Sequence, residues 1–167
     1  MAELLTRVTI WIALALFAGS AVVRRSQRGG GRAALALSFT GWTLFVGHVL
    51  LSFDTHYAWS HAVAYAETAE QTAALTGLDW GGGLYVNYLF GLVWLGELAW
   101  WGLDAPGYHG RPRSVELAVR GFFVFMVLNG AVIFVAGPQR WLGVALVTAL
   151  AWAWRPGTPL DQRTSRS

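Results

Sequence analysis

Five apolar stretches recur along the chain, at about residues 4–23, 34–53, 82–103, 117–136 and 141–154. The first four are near the ~20 residues that carry a helix across about 30 Å of hydrocarbon. The fifth is shorter, about 14 residues, and fits a tilted span, a thinned bilayer or a re-entrant helix. Periodicity inside the stretches is weak, as expected for helices apolar all round. The pattern predicts an all-α integral membrane helical bundle of about five transmembrane helices, the fifth short.

The polar intervals are brief except for one, residues 54–81, between the second and third stretches. Within it SHAVAYAETAEQTAALTG predicts an extra helix over about 60–76, with Ser60 as N-cap and Gly77 as the C-terminal stop. Ala62, Ala66, Ala69 and Ala73 share one face and permit close packing, and Tyr65, Thr68, Thr72 and Leu75 follow His61 along another. This helix is expected to cover the bundle, within a lid loop that carries His56, His61, Glu67 and Asp79. The chain then re-enters through GLDWGGG, whose glycines suit a tight turn, a close backbone approach or a hinge.

Composition agrees with this picture. The 167 residues are 55% hydrophobic with mean hydropathy +0.45, and only 13% are charged. Soluble proteins carry roughly 25% charged residues. One membrane domain accounts for residues 1–156, and residues 157–167 read as a polar, disordered tail. Cysteine is absent, which excludes disulfides and thiolate metal sites. All 12 basic residues are arginine, a bias expected of a GC-rich prokaryotic genome. The arginines lie in loops rather than in a basic stripe with exposed aromatics, so no nucleic-acid partner is expected.

The same arginines predict orientation. With alternating spans, 10 of the 12 fall on one side, leaving only Arg7 and Arg140 opposite. The positive-inside rule makes that side cytoplasmic. The N-terminus is then outside, the C-terminus inside, and the location a prokaryotic inner membrane. The first span is expected to be retained, because cleavage would strand the arginine-rich loop outside. Trp59, Trp80 and Trp141 fall at the outer interface and Trp100, Trp101, Trp152 and Trp154 at the inner one, as amphipathic indoles do. Trp11, Trp42 and Trp94 lie mid-span, where each N–H needs a partner.

Depth organises the remaining polar groups. Thr9, His48, Asn87 and Asn129 fall in one outer-leaflet layer on four spans, which predicts an outward-facing polar pocket beneath the lid. Equally, such groups cross-link membrane helices with no further role. Glu97, near the inner end of the third span, is expected to pair with Arg120 on the next one. Asn87, Gly91, Trp94, Glu97 and Trp101 share about one third of the helix circumference, a packing seam or a route joining pocket to acid.

Three functional readings follow. The first is a small accessory, scaffold or interaction subunit, partnered by the lipid bilayer and by other membrane subunits or a second copy. The second is a membrane-embedded metal, haem or redox site using His48 with His56 and His61, although their spacings match no diagnostic zinc motif. The third is small-solute or proton movement through His48, Asn87 and Glu97.

Overall fold

The computed structural model describes residues 1–26 and 31–155; the expected tail, residues 157–167, lies outside them. Among the described residues the fold is all-helical: α1 (Ala2–Ser26), α2 (Gly31–Thr55), α3 (His61–Thr76), α4 (Gly83–Leu103), α5 (Ala105–His109), α6 (Arg113–Leu128) and α7 (Arg140–Trp154). Three segments are long and apolar enough to cross a membrane: α1, α2, and α6 with its continuation to Ile133. Helix α4, at 21 residues, carries Asn87 and Glu97 among its apolar positions, and α7 has 15 residues. At about 1.5 Å per residue, α7 is near 22 Å long.

The five long helices close a ring in which α1 contacts α2, α2 contacts α4, α4 contacts α6, α6 contacts α7, and α7 returns to α1. An aromatic centre fills it. Phe17 of α1 meets Trp94 of α4 edge-on at 4.8 Å and stacks on Phe123 of α6 at 4.7 Å. Phe45 of α2 meets Phe90 at 5.1 Å, and Phe90 meets Phe123 at 5.4 Å. Each such pair adds about 0.5–1.5 kcal/mol beyond area burial.

Two of the three mid-span indoles find acceptors. Trp94 is 1% exposed, and its Nε1–H donates to Ser38 Oγ at 2.9 Å. Trp42 Nε1–H donates to the Gly91 carbonyl at 3.0 Å. Both bonds tie α2 to α4, and Ser20 Oγ ties α1 to the Ala34 carbonyl of α2 at 2.7 Å.

Small residues let backbones approach. A Cβ on Gly41 would lie 3.0 Å from the Ala13 carbonyl oxygen and 3.1 Å from the Trp94 ring. A Cβ on Gly143 of α7 would collide with the Ala131 carbonyl. Ala131 belongs to a π-helical turn, Asn129–Ile133, that extends α6. There the Phe134 N–H bonds to the Asn129 carbonyl at 3.0 Å, one residue further than in an α-helix.

Helix α3 has the predicted ends. Ser60 Oγ accepts from the Val63 N–H, and Gly77 takes the left-handed conformation at φ 77°. Its packing face differs from the expected alanine row: Ala64 and Ala69 are buried, whereas Ala62 and Ala66 are exposed. Phe53 of α2, Ala64 of α3 and Leu84 of α4 form the cluster that seats it. The glycine run serves close approach here, since a Cβ on Gly81 would collide with the Tyr65 carbonyl and ring.

Gly143→Ala is expected to destabilise the bundle by about 1–3 kcal/mol, because the added methyl meets backbone rather than a movable side chain. Gly121→Ala, with nothing within 4 Å of its added carbon, should leave stability unchanged or raised. Thermal unfolding of the two variants in detergent checks the contrast; equal effects would contradict the α6–α7 contact.

Candidate functional site

The buried charge of the bundle sits where α4 ends. Asp104 caps the following turn by accepting from the Gly107 N–H at 3.0 Å, and Pro106 favours the helical start. The five-residue α5 thereby folds back over the end of α4. This return places Tyr108, 5% exposed, flat against Trp101 with rings 5.6 Å apart. It also brings Arg111 to Glu97.

Arg111 Nη1 donates to both Glu97 oxygens, at 2.6 and 2.7 Å. The side chains are 5% and 16% exposed, so water screens the pair little. Tyr108 Oη–H donates to Glu97 Oε2 at 3.0 Å and accepts from Arg24 Nη1 at 2.9 Å. Arg24 lies over the Trp101 ring at 5.2 Å, and Arg111 over the Tyr108 ring at 4.3 Å. Burial pushes the Tyr108 phenol above its usual range, which keeps it protonated as a donor. Burial alone would draw Arg111 down, but its bond to Glu97 and the nearby Tyr108 and Glu116 hold it above the usual range.

The expected Glu97–Arg120 pair is therefore corrected to Glu97–Arg111. Arg120 instead pairs with Glu116 one turn earlier in α6, and its Nη1 donates to the Trp154 carbonyl of α7 at 3.3 Å. A straight α4–loop–α6 hairpin matches Glu97 to Arg120 by depth. The fold-back of α5 delivers a nearer guanidinium first.

The four residues of the expected outward pocket are not joined. Hydrogen bonds among the described residues link none of Thr9, His48, Asn87 and Asn129 to another. Thr9 Oγ1 and Asn129 Nδ2 bond to carbonyls of their own helices, at Leu5, Thr6 and Phe125. Asn87 is exposed, although Leu84 and Phe90 on neighbouring turns of α4, and Trp94 and Trp101 on the same stripe, are buried. His48 alone crosses between helices: its Nδ1–H donates to the Thr6 carbonyl of α1 at 2.8 Å.

The other histidines lie higher. His61 Nδ1 is 3.2 Å from Tyr88 Oη, and its ring is 5.0 Å from Phe53. His56 is exposed beside Tyr57, with ring centres 6.2 Å apart. Glu67 is half-buried near Tyr57, whose phenol is raised by burial first and by the Glu67 charge second. Asp79 is exposed. Among the described residues no three His, Asp or Glu side chains gather as a metal-ligand group, so His48, His56 and His61 are not brought together as one.

Arg24, Tyr108 and Arg111 were not among the candidates that the sequence singled out. Two of them read as topology arginines and the third as a loop tyrosine. The signal that pointed toward them was Glu97 itself, a carboxylate needing a cation at the arginine-bearing end, followed by the Asp-Ala-Pro-Gly turn. No protein-family model, curated protein or solved structure matches the chain.

Arg111→Ala is expected to lower stability by about 3–5 kcal/mol, since it leaves the Glu97 carboxylate buried without its cation. Arg120→Ala keeps the Glu97 pair and should cost less. Chemical unfolding in detergent ranks the two; a larger loss in Arg120→Ala would return Glu97 to that partner.

Proposed function

We propose that this chain is a small multi-pass membrane protein that serves as an accessory or scaffold subunit, holding other membrane helices against its lipid-facing surface. The observation that carries the reading is the outward face of the bundle. Phe39 and Leu50 of α2, Leu92 of α4, Phe125 of α6, and Trp141 and Leu142 of α7 are each at least half exposed. Bilayer or partner helices, rather than water, suit such a surface.

The polar groups support the same reading by the use they are put to. His48 to Thr6, Ser20 to Ala34, Trp42 to Gly91 and Trp94 to Ser38 each join two different helices. Such contacts contribute about 0.6–2 kcal/mol apiece in membrane bundles. Glu97, the acid expected for proton movement, accepts three hydrogen bonds, two of them from the Arg111 guanidinium, an arrangement suited to holding helix ends.

In this reading the arginine-bearing end faces the cytoplasm of a prokaryotic cell, and the lid helix α3 faces outward. Arg25 of α1 donates to the Arg155 carbonyl after α7 at 2.7 Å, so the basic residues of distant segments share that end. The excess of arginine there is what the positive-inside rule weighs. Other membrane subunits or a second copy of this chain are the partners, with the apolar faces of α6 and α7 as the contact surface.

The absence of cysteine makes topology simple to test. Glu70→Cys, exposed on α3, should react in intact spheroplasts with a membrane-impermeant maleimide; reaction only in inverted vesicles reverses the orientation. Native-membrane particles extracted without detergent should contain a second copy or another membrane protein in fixed ratio. A bare monomer in those particles would sink the scaffold reading.

A further inference from the structure

A partly open cavity of about 40 Å³ lies among the arginine-bearing ends of α1, α4, α6 and α7. By volume it holds roughly three waters or one small polyatomic ion. Arg24, Glu97, Tyr108, Arg111, Arg120 and Trp154 line it. Two side chains of its wall, those of Arg120 and Trp154, each carry a buried N–H, Nε and Nε1, that has no hydrogen-bond partner among the described residues. Both are donors only, so what they lack is an acceptor. The serines in the wall bond elsewhere, Ser20 Oγ donating to the Ala34 carbonyl and Ser38 Oγ accepting from Trp94, and neither accepts from Arg120 Nε or Trp154 Nε1.

Charge points the same way. Three guanidiniums, of Arg24, Arg111 and Arg120, meet two carboxylates, of Glu97 and Glu116. One positive charge is left over. Arg24 carries it: among the described residues its only hydrogen bond is to Tyr108 Oη, and its charge rests over the Trp101 ring. Water in the cavity satisfies the two donors and leaves the charge standing. A compact oxyanion satisfies both, and planar guanidinium forks match the oxygen edges of phosphate.

We propose that this cavity is a binding site for a phosphate-type oxyanion, held by Arg24, Arg120 Nε and Trp154 Nε1, with the Glu97–Arg111–Tyr108 network fixing the wall around it. The group can arrive on an anionic phospholipid headgroup or as inorganic phosphate. Trp101 and Trp154 at the same end suit the headgroup depth at which a lipid phosphate lies. The site is independent of the scaffold role, since it rests on the interior of the bundle and not on its outer face.

The test uses the full chain in a nonionic detergent at constant ionic strength. Thermal unfolding is followed with inorganic phosphate against chloride, and with added phosphatidylglycerol against phosphatidylcholine. Stabilisation by phosphate itself supports an ion from solution; stabilisation by phosphatidylglycerol alone supports a headgroup. Stabilisation by neither, beyond chloride and phosphatidylcholine, overturns the proposal and leaves the cavity to water. Arg24→Gln should weaken the effective ligand about tenfold by removing the uncompensated cation. Trp154→Phe keeps an aromatic ring and deletes one donor, so it should weaken binding by a similar factor even where Arg24→Gln fails to fold. Ligand response unchanged in Trp154→Phe also overturns the site.

Discussion

An ionised carboxylate buried in a helical bundle needs a cation beside it, and at Glu97 that requirement shapes one end of the molecule. Removing either partner of such a pair costs several kcal/mol, while the intact pair adds little net stability. Its effect is therefore on geometry. Arg111 reaches Glu97 only because α5 folds back across the end of α4. The fold-back lays Tyr108 on Trp101, and Tyr108 then bridges Glu97 to Arg24 of α1. One buried charge thus couples α1, α4 and the α5 return.

The middle of the bundle is held differently. There the aromatic centre around Trp94 gives area and edge-to-face contacts, and glycine or alanine at Gly41, Ala13 and Gly143 sets how close the backbones come. Indole N–H groups add direction: Trp42 and Trp94 both reach across the α2–α4 seam, one to a carbonyl and one to Ser38. Large rings beside small residues fill space that leucine alone leaves underspecified. The opposite end closes with the Phe53 cluster beneath α3 and the ring contacts of His61 with Tyr88 and Phe53.

The two ends therefore differ in kind. The α3 end is packed with aromatic rings, and its polar residues turn to their own helix, to one neighbour or to the surface. The arginine-bearing end holds the partly open, charge-lined cavity. Interior polar groups tied into cross-links, with apolar rings left outside, are what support the proposed scaffold role.

Element positions were legible from the chain alone because apolar runs of span length admit helices and little else. The expected stretches 4–23, 34–53, 82–103 and 141–154 lie within or within a residue of α1, α2, α4 and α7, and Ser60 and Gly77 end α3 as their capping chemistry requires. The π-turn at Asn129–Ile133 and the short α5 were not legible, since both depend on backbone contacts made elsewhere, at Gly143 and at Glu97. Depth along a span also identified Glu97 as a group in need of a cation. It pointed to Arg120, whereas the fold supplies Arg111, nine residues earlier in sequence and a whole chain reversal away in space. Depth could not join Thr9, His48, Asn87 and Asn129, because equal depth leaves rotation about each helix axis open. Sequence sets how far along its helix a side chain lies; only the packed bundle decides which way it turns and what it meets.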